Sequence, residues 1–336
     1  MATYKKDKGV HVKSYTADPD KTYPSAFEGQ LYYNSSDGQF KYIGLGAGAW
    51  ASGASVNTGR AYGGSSGTGT GATLYFGGYT ASPAANYANN EEYNGTAWSE
   101  EGDLNNAKTG VGGFGNSVTS AVCFGGDEFP APSPRYLDQV EEYNGSSWTE
   151  VTNIPSATQM PMGAGTLTAG LAIGGDQPGS TNITTTLEYD GTNWTSGGNL
   201  NTGKGFGRIS CGIQTAALVA GAPGYSATTE QYNGTAWTEV SDLNTAGSQG
   251  GGGGTSTSAV SSGNSAPAPQ TTCESWDGTS WTEVAERATD NYAVGGSGSS
   301  NQNAIIHHGY DSDPASFPAA TEEWTVAHAF KKVTTG

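Results

Sequence analysis

Glu92-Tyr93-Asn94-Gly95-Thr96-Ala97-Trp98 is the stretch on which the fold turns, because the chain repeats it. It returns as Glu142-Tyr143-Asn144-Gly145-Ser146-Ser147-Trp148 and as Glu188-Tyr189-Asp190-Gly191-Thr192-Asn193-Trp194. Gln231-Tyr232-Asn233-Gly234-Thr235-Ala236-Trp237 and Ser275-Trp276-Asp277-Gly278-Thr279-Ser280-Trp281 complete the set. Asn-Gly or Asp-Gly between extended runs is the strongest short-range hairpin signal, and it predicts a two-residue type I′ turn. In that register Tyr93 opposes Thr96, Glu92 opposes Ala97 and Glu91 opposes Trp98. Side chains alternate along a strand, so Tyr93 and Trp98 share one face as a diagonal cross-strand pair. One hairpin cannot bury such an aromatic layer; a neighbouring repeat can.

Working outward, the Trp register begins at Trp50, and the gaps to Trp98, Trp148, Trp194, Trp237 and Trp281 are 48, 50, 46, 43 and 44 residues. Seven residues after each Trp lies a second phrase: Val56-Asn57-Thr58, Leu104-Asn105-Asn106, Leu200-Asn201-Thr202 and Leu243-Asn244-Thr245, with Ile154-Pro155-Ser156 as a degenerate copy. Further on come short apolar runs ending in small residues, such as Leu74-Tyr75-Phe76-Gly77-Gly78 and Val122-Cys123-Phe124-Gly125-Gly126. A sixth unit ends in Glu322-Glu323-Trp324, where Trp324 takes the Tyr position. Each unit holds four strands: a Gly-rich strand a, an apolar strand b, the Glu-Tyr strand c and the Trp strand d. Four-stranded units with aromatic and Gly motifs predict an all-β, six-bladed propeller over residues 46–336, preceded by an arm and hairpin over residues 1–45. A flat solenoid of hairpins is the alternative.

Composition agrees with short strands and tight turns. The 336 residues include 53 Gly, 10% aromatic residues and only 13% charged ones. The net charge of −17, with 14 basic residues in all, disfavours nucleic acid and anionic membranes, which need Lys and Arg to displace counterions. Cys123, Cys211 and Cys273 lie far apart and form neither a disulfide framework nor a zinc motif. No apolar run follows the N-terminus and none reaches membrane-span length, so the expectation is a chain made in a cytoplasm without a signal peptide.

The repeat resembles the Kelch repeat, with a Gly-Gly after strand b and then a Tyr and a Trp flanking a turn, across nearly all of residues 50–330. Gly29-Gln30-Leu31-Tyr32-Tyr33-Asn34 through Lys41 resembles a hairpin of bacteriophage tail-fibre and other virion proteins. The Asn-Gly-Thr-x-Trp units behind it are similar to repeats in structural proteins of marine phages. The resemblance implies a virion component: a fibre, a tail appendage or a capsid decoration. It implies other virion proteins as partners of the N-terminal arm, a host-surface glycan or protein as a second partner, and compatibility with a homo-oligomer.

Chemistry is sparse by comparison. His307 and His308 are adjacent on strand b of the sixth unit, and alternation is expected to point them to opposite faces, away from a common metal. A sialidase would need an arginine cluster, and the only arginines are Arg60, Arg135, Arg208 and Arg287. Copper chemistry of the galactose-oxidase kind needs a converging His, Tyr and Cys set that cannot be assembled. Glu141-Glu142 are the best-placed carboxylates for calcium but lack a dense ligand loop. Arg60, Lys108 and Lys204 share one repeat position, ten residues after Trp, so each has a blade-level role or none. The sequence therefore predicts no enzyme, no catalytic residue, no metal and no cofactor. It predicts instead a non-enzymatic virion structural protein, with a lectin-like adhesin as the alternative. Strand alternation places the b–c loops on one face, and these loops vary most between units. Binding is expected there, through Tyr79, Tyr87, Phe129, Arg135, Tyr136, Tyr310, Asp311, Asp313 and Phe317.

Overall fold

A computed structural model describes residues 12–19, 29–81, 83–128, 136–224, 226–265, 271–312 and 315–333. The described residues form strands and no helix. Two compact units divide the chain: one takes residues up to Gly48 and from Val326 onward, the other Ala49–Thr325. This division gives the smaller unit the end of the chain, which the sequence reading had assigned to the ring.

The larger unit is a six-bladed β-propeller. Blade 1 has the strand order Gly64–Gly69, Ala72–Phe76, Asn90–Tyr93, Trp98–Glu100, and these are its strands a to d. Blades 2 to 5 repeat the order over residues 112–150, 162–196, 209–240 and 251–284. Blade 6 takes Gly295–Ser300, Asn303–His307 and the start of Thr321–Lys332 from the C-terminal side, and its outer strand from the end of Gln39–Ser52. The ring is thus closed by an N-terminal strand. Trp50 stacks on Trp324 at 5.3 Å, matching the separation of Trp276 and Trp281 within blade 5.

The c–d hairpin differs from expectation. Tyr93 pairs directly with Trp98, Glu92 with Ser99 and Glu91 with Glu100. Residues 94–97 form a four-residue loop, not a two-residue type I′ turn. The Asn94 carboxamide oxygen accepts the backbone N–H groups of Thr96 and Ala97 at 2.9 and 3.0 Å, and only Gly95 takes a positive φ. The side chain supplies the turn's acceptor, which is why Asn or Asp stands there in every copy. Tyr and Trp consequently face each other: centroids lie 5.1 Å apart for Tyr93/Trp98 and Tyr143/Trp148, 4.6 Å for Tyr189/Trp194 and 4.9 Å for Tyr232/Trp237.

The core lies between blades. Phe76 of blade 1 packs on Trp148 of blade 2 at 4.8 Å, and Phe124 of blade 2 on Trp194 of blade 3 at 5.8 Å. Strand a lines the axis, where blades crowd: a Cβ on Gly163 would lie 2.2 Å from the Gly113 carbonyl of the preceding blade. The Gly-Gly after strand b has a related cause. Gly125 sits at φ 64°, and a Cβ there would meet the Thr158 carbonyl at 2.3 Å; Gly126 donates to that same carbonyl at 2.9 Å.

In the smaller unit Lys13–Tyr15 lies parallel to Leu31–Asn34, which forms a hairpin with the start of Gln39–Ser52. Asp18 holds it together, accepting from Tyr32 Oη (2.9 Å), Asn34 Nδ2 (2.6 Å) and Lys41 Nζ (3.0 Å). The opposite face leaves Leu31, Phe40, Tyr42 and Val333 exposed.

Candidate recognition face

The charged side chains at repeated positions are consumed by the framework. In five blades a strand-c glutamate is buried against a cation: Glu91 with Arg60, Glu141 with Lys108 (2.6 Å), Glu230 with Lys204 (3.8 Å), Glu274 with Arg208 (3.0 Å) and Glu322 with Arg287 (3.7 Å). The same carboxylates accept the backbone N–H of the Leu-Asn phrase, as Asn105 N to Glu141 (2.8 Å), Asn201 N to Glu230 (2.8 Å) and Asn244 N to Glu274 (2.7 Å). Blade 3 drops all three parts together: Leu187 replaces the glutamate, Thr158 the cation, and Pro155, which has no N–H, the asparagine. In blade 5 the usual cation position is Gly247, and Arg208 reaches over from the start of blade 4, also donating to the Thr245 and Thr272 carbonyls.

The second strand-c position ties blade to blade. Tyr189 Oη donates to Glu142 of the preceding blade and Tyr232 Oη to Glu188, both at 2.6 Å, and Tyr93 Oη donates to Glu323 across the closure. Where the next aromatic is Trp276 or Trp324, whose indoles donate to backbone carbonyls instead, the preceding blade carries Gln231 or Ser275. Glu141 and Glu142 are therefore partners of Lys108 and Tyr189. Burial pushes the Cys123 and Cys211 thiols up to about 12, leaving no thiolate at neutral pH.

His307 and His308 do not point apart. The strand ends at His307, and His308 turns to φ 30°, so the two rings lie side by side with Nδ1 atoms 3.3 Å apart. Both are fully buried against Tyr75 of blade 1, with centroid distances of 4.9 and 3.6 Å. Desolvation, with Arg60 nearby, drives the His307 pKa down to about 3; burial and His307 itself hold His308 well below its usual value. The imidazoles are neutral packing groups between blades 6 and 1.

At one end of the axis the structure holds a feature the sequence did not announce. One residue per blade takes a left-handed backbone where the d–a connection enters strand a: Tyr62, Gly110, Met160, Phe206, Gln249 and Ala293, with φ from 43° to 63°. Their peptides form a closed circle. Gly110 N donates to Tyr62 O, Met160 to Gly110, Phe206 to Met160, Gln249 to Phe206, Ala293 to Gln249 and Tyr62 to Ala293, at 2.6–3.2 Å. Five non-glycine residues in this region carry backbone strain, which the circle of hydrogen bonds offsets. Tyr62 and Phe206, from opposite blades, meet edge to face at 5.4 Å above a cavity of about 170 Å³.

The b–c loops open on this same end. Tyr79, Tyr310 and Phe317 are brought together: Phe317 lies 6.2 Å from Tyr79 and 5.3 Å from Tyr310, and Tyr292 continues the row 5.3 Å beyond Tyr310. All are half-buried. Tyr79 bridges Ala61, and Tyr292 bridges Tyr310, which fixes the rings on paired backbone. Asp311 adjoins the row at the start of a two-residue strand. Tyr87 stays within blade 1, its hydroxyl 3.4 Å from Thr80 Oγ1. Tyr136 belongs to a separate place on blade 2, where burial and the carboxylates of Asp176 and Asp127 raise its pKa. Phe129, Arg135 and Asp313 lie outside the described residues. Tyr62, Tyr292 and Phe206 were missed from sequence because they stand on d–a connections rather than b–c loops.

No protein-family model matches the chain, and no curated protein matches it.

Proposed function

We propose that the chain is a non-enzymatic recognition scaffold, a virion structural protein of a bacteriophage whose rigid ring presents the loop-bearing end of its axis to a partner. One observation carries the non-enzymatic reading: among the described residues, the repeated cations and carboxylates are spent on buried intramolecular pairs, while half-buried aromatic rings gather on the loop face. Function concentrates on loops held by a rigid scaffold, and Tyr is favoured at interfaces. The Kelch-like repeat and the Gly29–Lys41 hairpin, by their resemblance to phage structural proteins, support the virion assignment. The exposed Leu31, Phe40, Tyr42 and Val333 of the smaller unit support docking to another virion protein there.

A lectin-like adhesin is the second reading, favoured by the same aromatic row. Both are tested on particles. Deleting residues 1–28 should leave the ring folded and abolish incorporation; normal incorporation of the deletion variant would remove the N-terminal arm from the attachment, and absence of the full chain from purified particles would sink the virion reading. Changing Tyr79, Tyr310 and Phe317 together to Ala abolishes host binding while the ring stays folded; undiminished binding would remove the loop face from the account.

A further inference from the structure

Charge is divided unequally between the two units. Residues 49–325 hold six basic and 26 acidic residues, a formal −20, whereas the rest of the chain holds eight basic and five acidic ones, a formal +3. Five of the ring's six cations are buried against glutamates, and the sixth, Arg135, lies outside the described residues. The described surface of the ring therefore presents no positive charge, and its summed field attracts cations.

Against this field the loop face sets its rings. Tyr79, Phe317, Tyr310 and Tyr292 form a continuous row with successive centroids 5.3–6.2 Å apart, all in edge-to-face geometry. The negative ring face is the feature that attracts a cation, and a desolvated aromatic cluster is where that attraction is strongest. Tyr62 stands beside the row, its hydroxyl pushed up to about 12 by burial and then by Tyr292, Tyr310 and Tyr79, so it stays protonated. Asp311 adds a carboxylate next in sequence to Tyr310.

We propose that this row is a binding site for a small organic cation with a quaternary ammonium head, such as choline. The charge of the ring and the chemistry of the row point to the same ligand class. Anions are repelled, and a strongly hydrated primary ammonium loses more on leaving water than an alkylated one does. The inference deepens the recognition reading by naming a ligand chemistry for the same face.

The test uses the full chain with labelled tyrosine rings, titrated by NMR with choline, with glycine betaine, and with 3,3-dimethyl-1-butanol, the uncharged isostere of choline. Choline is expected to shift the Tyr79, Tyr292 and Tyr310 ring signals saturably, and more weakly as salt rises. Betaine, with its carboxylate, should bind less well, and the isostere about tenfold less well. Phe317→Leu keeps apolar volume but removes the ring and should weaken choline binding several-fold; Tyr79→Leu, on a different blade, serves if the first variant does not fold. Absence of saturable shifts, equal response to the isostere, or unchanged affinity in a folded Leu variant overturns the proposal. Should choline fail while the Tyr79/Tyr310/Phe317 triple variant still loses its host or particle partner, the ligand class is wrong and the recognition face stands.

Discussion

Replacing Glu141 by Leu in blade 2 tests whether the buried ion pairs belong to the framework. Glu141 is 1% exposed, Lys108 is fully buried, and the carboxylate accepts from Asn105 N at 2.8 Å and Asn105 Nδ2 at 2.7 Å. Glu141→Leu strands a buried ammonium and two donors. Breaking a buried pair on one side costs about 3–5 kcal/mol. Blade 3 supplies the natural control, because it solves the same position with Leu187, Thr158 and Pro155. Its residual cavity, lined partly by Thr158 and Leu187, is about 20 Å³; at ~24 cal/mol per Å³ that is only about 0.5 kcal/mol. The triple variant Glu141→Leu/Lys108→Thr/Asn105→Pro should therefore recover most of the loss. Urea unfolding followed by Trp fluorescence, with the slope held constant across variants, gives both numbers. A single variant within about 1 kcal/mol of the parent, or a triple no better than the single, would refute the reasoning.

Trp148 is 5% exposed and packs on Tyr143 and Phe76, so Trp148→Ala should cost about 3–5 kcal/mol in the same assay; a loss below ~1 kcal/mol would argue for loosely stacked hairpins. Acid should weaken the seam between blades 6 and 1. His307 and His308 are neutral in the fold and titrate near their ordinary value when unfolded, so the unfolded state binds more protons below about pH 6.5. The stability they allow is complete above that pH and falls, by about 1.4 kcal/mol per pH unit for each, as pH drops toward the folded pKa. Urea midpoints between pH 7 and 5 check this, and His307→Gln should flatten the slope; a slope unchanged by that variant would exclude the pair.

Much of this was legible. The Tyr–Trp register, the Leu-Asn phrase and the Gly-Gly each mark one strand or connection, and each recurs at a spacing that fits a four-stranded blade. The pairing of Arg60, Lys108 and Lys204 with strand-c glutamates was within reach too, since blade 3 changes cation, acid and asparagine together. Two readings failed for local reasons. The Asn-Gly turn signal ignored the Asn side chain as an acceptor, which makes the loop four residues long. The His307–His308 reading assumed that the strand continued, whereas it ends between them. The aromatic row and the circle of peptides at the axis were not legible, because they join residues of different blades through backbone conformations that Tyr, Met, Phe, Gln and Ala do not advertise.

Closure of the ring is the central structural claim, and the circle of hydrogen bonds gives it one decisive amide. Gly110, Met160, Phe206, Gln249 and Ala293 bond to the blade before them in sequence, but Tyr62 N reaches Ala293 O across the closure, at 3.2 Å. Native-state hydrogen exchange, read residue by residue, should show Tyr62 protected to the same degree as the other five. If Tyr62 exchanges at the rate of an unstructured amide while those five remain slow, the blades form an open array and the closed propeller is wrong.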